Sequence, residues 1–498
     1  MHVAGRHITT NGVLLFVIVL SGLALRLYHL GANDVWIDEA FTVWMVKLNV
    51  GRIVATAATN DYHPPLYYAI LHFWRPQFGS SAVAVRFPSL IFGVLAIPML
   101  YAVGRQLFNK ETGLIAALLL ALSSFNIQYS QEARMYSLMA LLALVSMYFY
   151  LKFLKQGTPV VMIGYALSTV LLLYTHLYAL FILVIQNIYL VTLFFVFKEK
   201  TVRIWHWIAL QAIAIALFVP WIIIVLISRG SRTEALQFFI ASPTVSTIVQ
   251  TLNAYAGTTA LLALFLVLSA LSLFTYQKVN GAMEWKAPLK ALTRYTWQVR
   301  LQSIAPVYLL VVWIVVINIV PFAVSLLLSM PIYLAKYTIA GSAALFLFAA
   351  KGVSTINGRY VKLAVIGVIV VLCLANLQSY YGMTAPQAHD ALGVVNNDAR
   401  LGDVMLLSPY GYWLEWHYYG TNTAVAAKPF PSPASKTGED QMRELQADTN
   451  GSNRVWFVEF QGSTPGPVEN LTLGGLSLWY TMTAVKQFAG YRVYLFEK

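Results

Sequence analysis

Residues 12–30 read GVLLFVIVLSGLALRLYHL, and residues 31–41 then turn polar and aromatic as GANDVWIDEAF. A helix needs roughly 20 apolar residues to cross a bilayer core of ~30 Å, so the first stretch is long enough to span. It lacks the small-residue cleavage signature of a secretory leader, and it leads into a segment rich in site-type residues, so it reads as a retained span. Ten further apolar runs follow, at 81–105, 112–128, 135–151, 158–175, 177–197, 204–227, 257–276, 303–327, 337–350 and 363–380. The expectation is an α-helical polytopic membrane protein with about eleven transmembrane helices.

The composition agrees. Of 498 residues, 59% are hydrophobic and only 11% charged, with a mean hydropathy of +0.66. A soluble domain carries about a quarter charged residues, so a soluble enzyme, a disordered chain and a nucleic-acid binder are all excluded. The single cysteine, Cys373, rules out an intramolecular disulfide.

The net charge of +13 then has a topological meaning. With the N-terminus in the cytoplasm, the inside loops hold 16 basic residues (Arg6; Arg105 and Lys110; Lys152 and Lys155; Lys198, Lys200 and Arg203; Lys278, Lys286, Lys290, Arg294 and Arg300; Lys351, Arg359 and Lys362). They hold only three acids, Glu111, Glu199 and Glu284. This is the positive-inside pattern, and it leaves the exterior net neutral. Residues 1–380 thus form the membrane domain, with a long exterior loop at 31–80. Residues 381–498, where acids outnumber bases eleven to eight, form a small extracytoplasmic α/β domain. Its strands are expected at Asp403–Leu407, Val455–Phe460 and Arg492–Phe496, with a helix near Tyr410–Tyr419. The protein is expected in the inner (plasma) membrane.

That topology gathers the unusual residues on one face. Six exterior acids precede the tail: Asp34, Asp38, Glu39, Asp61, Glu132 and Glu234. Asp38 suits a helix N-cap, followed at helical spacing by Phe41, Trp44, Met45 and Leu48, a stripe able to lie in the membrane interface. Gln131-Glu132-Ala133-Arg134-Met135-Tyr136 sits where the fourth span begins. Glu132 and Arg134, two residues apart, cannot face each other on a helix and should meet different partners. The turn at Met330–Tyr337 carries Lys336 between two tyrosines, and His176 occupies the turn Tyr174–Tyr178. Arg86 is expected to anchor the second span. Carboxylates suit general-base work, and cations near hydrocarbon suit a phosphate.

The motifs Trp36-x-Asp38-Glu39-Ala40, His63-Pro64-Pro65-Leu66-Tyr67-Tyr68 and Gln131–Tyr136 resemble those of bacterial membrane glycosyltransferases of the C-type (GT-C) fold. The resemblance is to the group of protein O-mannosyltransferases and lipid A aminoarabinose transferases, glycosyltransferase family 39. It implies transfer of a sugar, with inversion, from a polyprenyl-phosphate-linked donor to an acceptor protein, glycolipid or glycan at the bilayer surface. By the same resemblance, Asp38 and Glu39 are the catalytic acids, and Arg134, Lys336 and His63 contact the donor phosphate. Glu132, Tyr136, His176 and Tyr337 would orient substrates. It implies no metal, although some other C-type enzymes use a divalent ion. Two rival readings are a lipid or sugar transporter, for which mid-membrane charges and repeats are expected, and a binding protein acting through its tail.

Overall fold

The computed structural model describes residues 10–61, 63–197, 204–228, 242–272, 301–329, 331–435, 437–461 and 467–498. Arg6, Tyr62, Lys198, Glu199, Lys200, Arg203, Glu234, Lys278, Glu284, Lys286, Lys290, Arg294, Arg300 and Met330 lie outside the described residues.

Each apolar run coincides with a helix or a bent helix pair. Five of the helices long and apolar enough to cross alone are α1 (Thr10–Leu27), α5 (Ala82–Leu107), α8 (Tyr136–Lys155), α11 (Ile204–Ile227) and α14 (Leu301–Leu327). The sixth is α16 (Arg359–Tyr381). The run at 112–128 is a broken pair, α6 (Lys110–Leu122) with α7 (Ser124–Ser130), bent by 62°; the run at 257–276 coincides over its described part with α13 (Thr259–Leu271), which α12 (Val245–Ala256) precedes at a bend of 87°. The remaining three are the shorter α9 (Pro159–Leu173), α10 (Ala179–Phe195) and α15 (Ala340–Ser354). Among the described residues, six to eight elements therefore meet the length and composition of a full span, fewer than the eleven runs suggested. Apolar periodicity measures hydrophobicity and does not register a break or a short helix.

The break between α6 and α7 shapes the site end of the bundle. It leaves the last carbonyls of α6 without intrahelical partners. Arg26 of α1 meets them: its Nη2 donates to the Leu120 oxygen and its Nη1 to the Ala121 oxygen, both at 3.2 Å. Its Nε donates to Ser130 Oγ at 3.1 Å. Gly93 of α5 makes room for this knot, since a Cβ there would lie 2.0 Å from Ser130 Oγ and 3.2 Å from Arg26 Nε.

The long first loop forms α2 (Ile37–Met45), α3 (Val50–Thr56), a π turn (Ala57–Asp61) and α4 (Leu66–Phe78). A 3₁₀ turn, Ala335–Thr338, joins α14 to α15.

Beyond α16 come α17 (Ala388–Asp398), β1 (Val404–Ser408), α18 (Trp413–Tyr419), β2 (Ala426–Pro429), α19 (Gly438–Thr449), β3 (Arg454–Phe460), α20 (Pro467–Leu476), β4 (Thr481–Phe488) and β5 (Tyr491–Glu497). The sheet order is β2-β1-β3-β5-β4, parallel through β2, β1 and β3 and antiparallel through β3, β5 and β4. Alternate residues supply two cores. Met405, Leu407, Trp456 and Val493 pack with Leu392 and Val395 of α17, while Leu406, Phe457 and Phe496 pack with Leu445 and Leu476. The three expected strands and the helix at Trp413–Tyr419 are present. The edge strands β2 and β4 were not expected; β4 is almost wholly exposed and carries no alternating apolar signal.

This sheet domain rests on the first loop. Leu414 of α18 packs against Val35 and Ala40, and Trp44 meets Trp413 edge-on at 6.0 Å. The Val35 amide donates to Tyr419 Oη at 2.6 Å, and Tyr418 Oη donates to the Ser80 oxygen at 2.9 Å. Of the stripe expected to lie in the membrane interface, Phe41 and Trp44 pack against this roof and Met45 and Leu48 pack into the bundle core: an apolar stripe buries against whichever apolar surface is nearest.

Candidate active site

The helix α2 starts two residues earlier than expected. Trp36 takes the N-cap position, so Asp38 is no cap; it shares the first turn with Glu39. Consecutive helical residues point about 100° apart, and these two carboxylates accordingly go to different places. Glu39 is fully buried and accepts from Arg86 Nε at 2.8 Å and Nη2 at 2.6 Å, and from the Ala133 amide at 2.7 Å. The Arg86 guanidinium also donates to the carbonyls of Leu30, Asn33 and Asp34, each at 2.9 Å. The expectation that Glu39 acts beside Asp38 is corrected here, because both its oxygens are engaged. The pair ties α5 to the first loop and to the loop before α8.

Asp38 Oδ2 accepts from Lys336 Nζ at 2.8 Å, across 298 positions of sequence. The two side chains keep 30% and 22% of their surface exposed, so the pair can be approached. Lys336 Nζ lies over the rings of Trp36, Tyr136 and Tyr337, at 5.1, 5.6 and 5.9 Å from their centroids. Its one hydrogen bond leaves two ammonium donors unspent.

Arg134 is nearly buried beside this pair. It donates from Nη1 to Tyr68 Oη at 2.9 Å and to Thr42 Oγ1 at 3.3 Å, and from Nη2 to Asp61 Oδ1 at 3.2 Å. Tyr68 donates in turn to Asp61. Glu132 faces elsewhere and accepts from Gln128 at 3.3 Å, so Glu132 and Arg134 do take separate partners. His63 and His176 lie with ring centroids 4.3 Å apart, and Tyr337 packs at 5.3 Å and 4.9 Å from them. The backbone here is braced by the Leu66 amide, which donates to the Tyr174 oxygen at 3.0 Å.

Five buried polar atoms in this group have no hydrogen-bond partner: His63 Nδ1, Glu132 Oε2, Arg134 Nε, Tyr136 Oη and His176 Nε2. Each unmet buried polar atom costs about 1–3 kcal/mol, and native proteins leave few of them. His63, His176 and Tyr136 all pack on the Tyr337 ring beside Lys336, so their unmet atoms are candidates to meet a polar ligand.

Charge states follow from the same geometry. Burial opposes the charge on Asp38, but Lys336 and Arg134 outweigh it and hold the carboxyl below its ordinary value. Burial likewise opposes the charge on Lys336, and Asp38 outweighs it. Burial, reinforced by Arg134 and Lys336, holds His63 well below 6.5, so it is uncharged at neutral pH. It can offer a phosphate an N–H but no charge. His176 is lowered by burial and then by His63. Burial, with Glu39 and Asp38 nearby, pushes Glu132 up to about 8, so it is a neutral hydrogen-bonding acid at pH 7.

Residues 62–224 match the family model for dolichyl-phosphate-mannose-protein mannosyltransferases. The apo structure of ArnT from Cupriavidus metallidurans superposes with a TM-score of 0.60 at 12% identity, covering 97% of both chains. Its complex with undecaprenyl phosphate gives 0.61 at 11% identity over 98% of both. The oligosaccharyltransferase AglB from Archaeoglobus fulgidus, in complex with an inhibitory peptide and a dolichol-phosphate, gives 0.58 at 13% identity, covering 97% of this chain and 74% of that one. The protein has the GT-C glycosyltransferase fold. No curated protein matches it in sequence.

Within this GT-C chain the matched segment includes His63, Arg134 and His176, whereas Asp38 and Lys336 lie outside it. Asp61 and Tyr68 grip Arg134; the sequence marks Asp61 only as an exterior acid and Tyr68 only as the end of the His63–Tyr68 motif. The spacing Asp61-x₆-Tyr68 in front of an Arg-bearing loop was the available signal. Arg26 gave none, since a lone Arg at a span end is commonplace. Among the described residues, no group of three or more His, Cys, Asp or Glu side chains is arranged to hold a metal ion.

Proposed function

We propose that this GT-C chain moves a sugar from a polyprenyl-phosphate-linked donor to an acceptor hydroxyl on a protein, glycolipid or glycan, with inversion. The reaction lies at the extracytoplasmic face of the plasma (inner) membrane, with the N-terminus in the cytoplasm. One observation carries the reading: an accessible Asp38–Lys336 ion pair lies beside the Arg134 guanidinium, with unpartnered polar atoms on the neighbouring His63, His176 and Tyr136 side chains. The likeness to a fold whose members include a complex with undecaprenyl phosphate supports it.

In this scheme the donor phosphate sits against Lys336 and Arg134, with His63 and Tyr136 as neutral donors. Glu132 and His176 orient sugar hydroxyls, and the Tyr337 ring walls the pocket. The acceptor oxygen attacks the anomeric carbon as the carbon–oxygen bond to phosphate breaks. The electron pair leaves with the phosphate, and the acceptor proton passes to the Asp38 carboxylate. A phosphate leaving group carries its own charge, so cations serve it better than a strong acid. A carboxylate held low by Lys336 is a weak base. A phosphate bound at Lys336 spreads that cation's pull and restores basicity to Asp38 when the acceptor needs it. Glu39 is a positioning residue, acting through Arg86. No step is assigned to a metal.

The test is Asp38→Asn in the purified full chain. Loss of general-base catalysis lowers turnover by roughly 100-fold or more, while polyprenyl phosphate still binds. Near-normal turnover overturns the assignment.

A further inference from the structure

A cavity of about 420 Å³ opens between the membrane bundle and the sheet domain, a size typical of small-ligand sites. One end reaches Trp36, Glu132 and Lys336 and so runs into the site described above. The other end is built by the sheet domain, from Tyr412, Glu415, Phe460 and Tyr491. None of these four has a part in the chemistry assigned to Asp38 and Lys336.

Their arrangement is itself that of a binding surface. Glu415 is only 1% exposed, yet its Oε1 has no hydrogen-bond partner. Tyr491 Oη donates to the other carboxyl oxygen, and the Ile37 amide at the head of α2 partly offsets the effect of burial on the carboxyl. Tyr412 stacks on Phe460 with centroids 4.4 Å apart and planes 25° apart, and Tyr491 closes the corner edge-on. Burial raises the Glu415 carboxyl to about 8, so at neutral pH it is an uncharged group that both donates and accepts. The cation on this wall, Arg86, is spent on Glu39, whereas Asp34 accepts only the His389 amide and keeps its negative charge.

We propose that Tyr412, Glu415, Phe460 and Tyr491 form an acceptor subsite for an uncharged saccharide, with the Tyr412–Phe460 stack offering one outer ring face to the apolar face of a sugar ring and Glu415 bonding a hydroxyl. The chemistry selects that occupant. An aromatic surface beside a neutral carboxylic acid suits a polyol; a phosphorylated acceptor finds, among the described residues, no free cation at this end and meets the negative charge of Asp34. The inference rests on the transferase reading above and narrows its acceptor to a glycan or the sugar portion of a glycolipid. It gives the sheet domain a function: it supplies the acceptor half of a site whose donor half lies in the bundle.

The experiment uses the full chain in detergent micelles, with uncharged disaccharides as probes followed by saturation-transfer NMR, and polyprenyl phosphate binding measured separately. Wild-type protein binds disaccharide. Glu415→Ala and Tyr412→Ala each weaken that binding by about tenfold, as the loss of one buried contact does. Glu415→Gln, which keeps a neutral donor and acceptor, stays within about threefold of wild type. Polyprenyl phosphate binding is the same in all four proteins. Absence of disaccharide binding to wild type, binding unaffected by both alanine variants, or capture of a serine-containing peptide instead of any saccharide overturns the proposal. Failure of wild type to bind polyprenyl phosphate counts against the donor assignment and leaves the saccharide measurement readable.

Discussion

Replacing Lys336 by Met removes the cation from the centre of the site while keeping a side chain of similar length among the rings of Trp36, Tyr136 and Tyr337. Two effects follow, and they are separable. The first is on donor binding. Lys336 spends one of its three donors on Asp38, leaving two for phosphate, and one charge-assisted bond is worth about 1.5–3 kcal/mol. Polyprenyl phosphate affinity therefore falls by about 10- to 150-fold. The second effect is on the base. In the wild-type chain Asp38 sits below its ordinary value because Lys336 and Arg134 outweigh its burial. Without Lys336 the largest remaining influence is burial, which raises a carboxyl. A base works only when deprotonated, so the acid limb of kcat/KM lies below the ordinary carboxyl range in wild type and moves upward in Lys336→Met. The assay is the pH profile of kcat/KM in detergent or nanodiscs, with binding measured in parallel. An acid limb that stays put while affinity falls would show that Lys336 touches the donor without tuning Asp38, and the coupling of phosphate arrival to base strength would be refuted.

The Glu39–Arg86 pair gives a second expectation. Arg86→Met strands a fully buried carboxylate and three backbone carbonyls, a change that costs about 3–5 kcal/mol; Glu39→Met does similar harm from the other side. The double variant removes both charges together and costs clearly less than the sum, as a double-mutant cycle on thermal unfolding in detergent can measure; strict additivity would mean that the two do not act as a pair. Gly93→Ala places a methyl 2.0 Å from Ser130 Oγ, which forces apart the Arg26 knot at the α6–α7 break. Overpacking of this kind costs about 1–3 kcal/mol, visible as a lower midpoint in the same unfolding assay, and an unchanged midpoint would count against a tight knot.

Much of this architecture was legible in the chain because hydrophobicity is local. Each apolar run became a helix or a helix pair, and the three central strands of the tail announced themselves by β-branched and aromatic content. The grouping of Asp38, Arg134, Lys336, His63, His176, Tyr136 and Tyr337 at one end of the bundle followed from counting span ends. What stayed hidden was pairing over distance. Nothing near Glu39 says that Arg86, 47 positions on, will take both its oxygens, nor that Asp61 and Tyr68 will hold Arg134. Breaks in helices were equally silent, because Ser123 interrupts an apolar run without lowering its hydropathy much. The neutrality of His63 is a product of burial among cations, a property of the assembled site alone.

The distance between Asp38 and Lys336 along the chain has a consequence in time. A polypeptide is made from its N-terminus onward at about 5–20 residues per second. Asp38 is synthesised early, and the cation that neutralises it is made 298 residues later. The roof that seats on Val35 and Ala40 comes later still. For tens of seconds, then, the growing chain carries a first loop whose carboxylate is uncompensated and whose apolar stripe is uncovered, beside a membrane already crossed several times. That interval is a window in which a nascent-chain chaperone or a membrane protease can tell an unfinished molecule from a finished one, and its end coincides with assembly of the site.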